Sequence, residues 1–415
     1  MIAQLPRMIT VRRKYPPSKP VDIAPTVKNE LARLAPKLKP GMRIAVGTGS
    51  RGISNILPIV TSAVEFLKAA RAKPFLIPAM GSHGGATPEG QIEVLGTYGI
   101  TDAIAPIEAS METVVLGRTA NGLDVIFSAE AKKADGILVI NRIKPHTDFA
   151  SDSLGSGLLK MLVVGLGKQN GAANYHRGAI HHGFEPVLRA MAPVVLKSAP
   201  ILGGLGIVED QFHQTVRIGF AGADEMEKRE AELFAQAKAL MPKLPFDEID
   251  LLIIDRIGKN ISGSGMDPNI IGREIFGYSS SFQEQRHLKP SIRRILVRDL
   301  TPETHGNAIG IGLADFTTAR LVRAIDHKKT YMNALTSLSV NGPKIPIFFD
   351  TDREAITQAL NSLAIPDIAV AKVMRIADTL SLTRLQISES FGTPNHLEIL
   401  DSPADMRFDA AGTLI

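Results

Sequence analysis

Residues 43–52 read RIAVGTGSRG, and the reading of this stretch decides the fold. Arg43 to Val46 is a short apolar run ending at Gly47. Ile53 to Ala72, just behind it, carries Ile56, Val60, Val64 and Leu67 at helical spacing. Strand, glycine turn and helix form the opening unit of an α/β sheet. The pattern then recurs. Pro74 to Ala79 (PFLIPA) predicts a second strand and Gln91 to Tyr98 a helix. Val114 to Leu116 and Leu123 to Ser128 predict short strands, and Gly136 to Asn141 (GILVIN) a third buried one. Glu225 to Ala239 is a charged amphipathic helix, followed by Pro242 and Pro245. A second round opens at Ile249 to Asp255 (IDLLIID). It continues through Arg294 to Arg298, Lys344 to Asp350, Ala369 to Met374 and Leu380 to Ile387. The expectation is α/β: two α/β domains with mainly parallel sheets, residues 1–245 and 246–415, and the site in the cleft between them.

Composition agrees with that architecture. The 415 residues allow two or three domains at about 150 residues each. With 44% apolar and 21% charged residues, the chain is neither disordered, coiled coil nor collagen. Cysteine is absent, which excludes disulfides, cysteine-ligated metal sites and a thiol nucleophile. The net charge of +5 is mild and suits small anionic ligands better than nucleic acid. Arg7, Arg12, Arg13, Lys14 and Lys19 cluster near the start and read as a solvated arm. Met1 to Lys14 offers no signal-like apolar core, and no run approaches the roughly 18 residues needed to span a bilayer. The expected location is cytoplasmic, with no membrane and no nucleic acid among the partners.

Gly47-Thr48-Gly49-Ser50-Arg51-Gly52 has the form of a dinucleotide fingerprint. That reading needs an acid at the end of the second strand, for the ribose. Ala79-Met80-Gly81-Ser82-His83 supplies none. An anion nest at a helix N-terminus, with Arg51 adding charge, fits the loop better. An NAD-dependent 2-hydroxyacid dehydrogenase stands as the alternative, and a non-catalytic nucleotide or cofactor binder as a third reading.

His83 follows the second strand and His146, in Asn141-Arg-Ile-Lys-Pro-His146, follows the third. Ligands of α/β sheets gather at such strand ends, and two imidazoles there suit acid–base work near neutral pH. Each histidine alone reads equally as a turn or core residue. In His83's case Thr87-Pro88-Glu89 looks like an adjacent helix start. Gly155-Ser-Gly157-Leu-Leu-Lys160 sets a lysine in an apolar run, where an amine loses hydration unless it is paired, covalently used or snorkelling. His176, His181 and His182 invite a zinc reading. No acid lies between Asp152 and Glu185 to complete it.

Taken in order, these motifs resemble the nickel-dependent lactate racemase family of 2-hydroxyacid racemases and epimerases. The resemblance rests on the Arg51 loop, Gly-Ser-His83, Pro145-His146, the Gly-Ser-Gly segment leading to Lys160, and His176 sixteen residues on. It spans the N-terminal half well and the C-terminal half loosely. It implies a nickel-pincer nucleotide, a pyridinium mononucleotide bearing two thiocarboxylate-type groups, covalently joined at Lys160. It further implies His176 as the protein ligand to nickel, with the other ligands supplied by the cofactor in a square-planar set. His83 and His146 become the acid–base pair, one per enantiomer, around hydride transfer from C2 to the cofactor and back. Thr48, Ser50 and Arg51 become cofactor contacts, with Arg51 also suited to a substrate carboxylate. Proteins that make the cofactor are implied partners.

The chain also departs from that pattern. Thr48 stands where an acid is usual, Gly52 replaces a proline, and Lys144 stands where an acid is usual before His146. A Gln-x-x-Lys pair that would hold lactate is absent from the segment Gly263 to Glu274. The expected substrate is therefore a larger or polyhydroxy 2-hydroxy acid, such as an aldonate, rather than lactate. Lys144, Asn260, Asn269 and Arg273 are its candidate contacts. The last segment reads equally well as a glycine-rich turn with an Asp-Pro helix start.

Overall fold

The computed structural model describes residues 4–49, 52–147, 149, 151–274, 289–392 and 394–415. The chain forms two compact units: Met1–Pro17 together with Pro242–Ile415, and Ser18–Met241. Its first strand, β1 (Met8–Arg13), belongs to the former. Met8, Ile9 and Val11 are buried, and β1 pairs antiparallel with two strands near the C-terminus. The basic N-terminal stretch is thus not a solvated arm. Its charges flank an apolar strand: Arg7 pairs with Glu389, Arg12 with Glu398, and Arg13 lies over the Tyr15 ring. The opening residues also depart from the 1–245 segment in which they were expected.

The unit Ser18–Met241 is built on β2 (Arg43–Thr48), β3 (Lys73–Pro78), β4 (Thr113–Arg118), β5 (Asp124–Ser128), β6 (Gly136–Arg142), β7 (Ile201–Glu209) and β8 (Thr215–Gly222). Five of them form one sheet in the order β3-β2-β6-β7-β8, parallel except for β8. β4 and β5 form a separate antiparallel ribbon. Ile44, Val46, Leu76, Leu138 and Ile140 of the sheet pack with Val60, Val64 and Leu67 of the helix Ile56–Ala69. Each such side chain contributes about 1.5–3 kcal/mol by leaving water. The helix begins later than its apolar spacing predicts, because Asn55 is left-handed (φ 57°) and closes a turn first. The chain leaves β2 toward β3 on one side, and β6 lies on the other. The ends of β2 and β6 therefore flank a topological switch point, where open α/β sheets hold ligands.

The other unit adds β9 (Glu248–Ile257), β10 (Ser291–Leu300), β11 (Phe316–Thr318), β12 (Ile347–Phe349), β13 (Val373–Ile376), β14 (Arg384–Ser388) and β15 (Leu397–Ile399). Their order is β12-β11-β10-β9-β13-β14-β1-β15, parallel from β12 to β13 and antiparallel beyond. Leu251, Ile253, Leu296 and Phe316 pack against Ile356 and Leu360 of the helix Asp352–Asn361. Within this core Arg298 is buried between Asp255 and Asp352, and the Leu414 carbonyl accepts a further bond. No helix among the described residues is long and apolar enough to cross a membrane.

Candidate active site at the ends of three parallel strands

Thr48 closes β2. It is fully buried, and its Oγ1 has no hydrogen-bond partner among the described residues. Its carbonyl accepts from Ala79 N at 2.8 Å, which joins the β2 loop to the β3 loop. Ser50 and Arg51, the other expected contacts of the β2 loop, lie outside the described residues. Beyond them Gly52 offers its carbonyl to Arg142 at 2.7 Å, and Arg142 pairs with Glu209 at 2.7 Å. Burial alone would raise the Glu209 carboxyl, but hydrogen bonding to His213 and the Arg142 charge hold it below the usual range.

His83 lies in the β3 loop, half-buried, at the entry to a short turn Gly84–Ala86. Gly81 and Gly84 bend this loop at φ +60° and +66°, and a Cβ on Gly84 would sit 2.4 Å from the Gly90 backbone. The expected helix start follows, with Thr87 Oγ1 accepting from Gly90 N at 3.1 Å. Gly81 N donates to Gly165 O at 3.1 Å, which ties the His83 loop to the segment just after Lys160.

His146 follows β6 and is buried. Lys144 and Ser156 bond each other's backbones, so the chain loops out and returns beside its own start. Lys144 itself is half-buried at the base of this loop. The return brings Lys160 to His146: Lys160 Nζ and His146 Nε2 are in hydrogen-bond contact. Two side chains grip the turn ahead of Lys160. Asn141 Nδ2 donates to Gly157 O at 3.0 Å, and Leu159 N donates to Glu230 Oε2 at 2.8 Å. Burial pushes the Glu230 carboxyl up to about 7, although bonds from the Leu159 and Leu158 amides oppose the shift. A π-helical turn, Met161–Gly165, continues from Lys160; such turns often accompany functional sites.

His176 lies on the helix Lys168–His182, half-buried, with Tyr175 and Phe184 rings edge-on at 5.4 and 6.0 Å. Phe184 stacks on Phe149 at 6.3 Å, and Phe149 stacks on His146 at 4.6 Å. Two phenylalanine rings thus link His146 to His176. His181 and His182 are exposed on the same helix. Among the described residues no three His, Asp or Glu side chains converge to hold a metal ion by themselves. The zinc reading therefore lacks its ligand set among the described residues.

The other candidates lie in the second unit, in local structural roles. Asn260 is exposed and accepts from Thr301 Oγ1 at 2.6 Å. Asn269 bonds Asp267 Oδ1 through its backbone N and its side chain, inside the cap of the short helix Pro268–Ile271. Arg273 binds Asp315 at 2.6 Å and the Leu313 carbonyl at 2.6 Å. The Asp-Pro helix start is the form this segment takes.

Two fully buried residues beside the candidate site are given no functional role by the sequence reading. Lys168 and Gln91 together hold the carbonyls behind His83. The only signal for Lys168 is its place between glycines in Gly167-Lys-Gln-Asn-Gly171.

Loops at three strand ends, with two imidazoles, an amine and a third imidazole around them, define an α/β protein with a candidate ligand site in the unit Ser18–Met241. Residues 27–185 match the family model described as Lactate racemase N-terminal domain, and they contain every one of those side chains. The resemblance to the lactate racemase family read from the sequence holds over this domain. The lactate racemase apoprotein from Thermoanaerobacterium thermosaccharolyticum is a similar solved structure. It is 14% identical with a TM-score of 0.54, over 90% of this chain and 99% of that one, so the fold is shared. No curated protein sequence matches the chain.

The residues present fit a covalently held, metal-bearing nucleotide. Thr48 offers, at the end of β2, a buried hydroxyl with no hydrogen-bond partner among the described residues. Lys160 offers an amine beside an imidazole, and His176 an imidazole, a donor type that suits nickel.

Proposed function

We propose that this chain is a racemase or epimerase that inverts C2 of a 2-hydroxy acid with a nickel-pincer nucleotide, in the cytoplasm. The observation that carries the reading is the meeting of Lys160 with His146, linked through Phe149 and Phe184 to His176. Lys160 would hold the nucleotide covalently, His176 would ligate nickel, and Thr48 with Ser50 and Arg51 would receive its phosphate. The bound group supplies the capacity to take hydride from C2 and give it back.

The chain's own residues manage protons and shape. His83 and His146 stand at the ends of different strands, β3 and β6, so each can serve one enantiomer. One takes the 2-hydroxyl proton as the C2–H bond breaks, and the other returns a proton to the oxygen after inversion. Phe149 and Phe184 wall the His146 side with apolar surface, which limits water and strengthens polar contacts inside. Lys144 and Arg51 are the cations for the substrate carboxylate. A larger polyhydroxy acid such as an aldonate remains the preferred substrate, and proteins that make the cofactor the implied partners.

The test is a panel of 2-hydroxy acids incubated in deuterated and ordinary water with chain produced beside the cofactor-making proteins. Inversion at C2, nickel in the protein and a mass addition on Lys160 are expected. His83→Ala or His146→Ala should each slow inversion by about 10²–10⁴-fold, the usual worth of a general acid or base. A chain with nickel and adduct both absent, and with no inversion of any acid, overturns the reading.

A further inference from the structure

Lys168 opens the helix that carries His176, yet its backbone is left-handed at φ +54°. Its ammonium is fully buried. It donates to Pro78 O, the last carbonyl of β3, at 2.7 Å and to Gln91 Oε1 at 3.3 Å. Gln91 is fully buried as well, and its Nε2 donates to Gly81 O at 2.9 Å and His83 O at 3.4 Å. An unbroken path of hydrogen bonds thus runs from the helix of His176 to the backbone of His83. The bonds that Lys168 Nζ makes here all go to neutral acceptors, and burial draws its ammonium down to about 8. A methionine would fill the same space without giving up ionic hydration. It could not bond two oxygens. The His83 loop, bent by left-handed glycines, has little stiffness of its own, and these bonds supply it.

We propose that Lys168 is a positioning residue, which acts through Gln91 and the end of β3 to fix the His83 loop against the first turn of the His176 helix. Its catalytic meaning rests on the racemase reading above; its action on His83 does not. Both side chains are fully buried, so neither is assigned a contact with substrate. Their role is to set the distance between an acid–base imidazole and a metal-binding one.

The experiment uses the full chain without cofactor and reads diethyl pyrocarbonate modification of each histidine by peptide mass spectrometry at pH 7. Lys168→Met and Gln91→Leu should each change the rate at His83 by about three- to tenfold, the equivalent of one neutral hydrogen bond. The exposed His181 and His182 should keep their rates. The double variant should change His83 by less than the product of the two single effects, because the Lys168–Gln91 bond is common to both. Gln91→Glu keeps an acceptor for Lys168 and loses the donor to Gly81 and His83. It should reproduce the His83 change even if Lys168→Met does not fold. An unchanged His83 rate in the folded variants overturns the proposal. So does an equal change at every histidine, which marks a merely structural residue. In cofactor-loaded chain, Lys168→Met should lower kcat with KM held within about twofold, since it contacts no substrate. A His83 effect in a chain that inverts no hydroxy acid would leave the positioning role standing and sink the racemase reading.

Discussion

Glu230 and Lys168 are buried ionisable residues with opposite effects on stability. Glu230 lies in a helix whose sequence, MEKREAELFAQAKAL, reads as a charged surface face; only packing shows that this one carboxyl points inward. Its folded pKa of about 7 exceeds the ordinary 4.5, so the folded chain holds a proton that the unfolded chain releases. The stabilisation is full below about pH 4.5 and is lost as pH rises through 7. Glu230→Gln keeps an acceptor for Leu159 N and carries no charge. Thermal melting between pH 5 and 8 should show the wild type declining relative to this variant, with the variant higher at pH 8. Lys168 behaves inversely. Its ammonium is held at about 8 against an ordinary 10.5, so the unfolded chain binds the extra proton and stability rises from about pH 8 to 10.5. Lys168→Met should abolish that rise. His83, His146 and Lys160 stand out as candidates in the sequence because each is a polar residue in a glycine-rich or apolar stretch after a strand, and His176 because of its spacing from Lys160. Glu230, Gln91 and Lys168 were not, because their meaning depends on partners far along the chain.

At the scale of elements, strand and helix alternation was legible wherever apolar runs were plain, as in β2, β3, β6 and β9. It failed where side chains were traded for proximity. β7 (ILGGLGIVE) carries three glycines, and a Cβ on Gly204 would press within 2.9 Å of Val139 and Leu158. Low strand propensity there is the condition for close packing. β1 was hidden by its basic flanks. The loop from Lys144 to Gly157 makes the same trade: a Cβ on Gly157 would fall 2.0 Å from Glu230 Oε1. The φ of Gly157 is ordinary extended backbone, so the conflict is steric. Gly157→Ala should therefore cost about 1–3 kcal/mol in denaturant titration, as overpacking does. It should also change the labelling of Lys160 by an amine reagent. Glu230→Gln should not relieve the clash, whereas Glu230→Ala should relieve part of it.

On the scale of the whole molecule, one unit is contiguous in sequence and the other is interrupted by it. The contiguous unit, residues 18–241, contains the whole family match and should fold as a fragment with a single cooperative transition. Residues 242–415 alone lack the strand between β14 and β15 and should expose both edges, which favours aggregation. Joining residues 4–17 to that fragment should restore a soluble, cooperatively melting species. Failure of the joined fragment to improve on the bare one, by sedimentation and circular dichroism, would count against this division.

The position of β1 also sets an order of events during synthesis. β1 leaves the ribosome about 370 residues ahead of the strands it pairs with, Arg384–Ser388 and Leu397–Ile399. At about 5–20 residues per second it waits on the order of half a minute for a partner. Through that interval the unit with the candidate site can mature while the opening strand stays solvent-borne, its arginines and lysines keeping an otherwise sticky apolar segment dispersed. The basic flanks that disguise β1 in the sequence would then guard it until its partner strands are made.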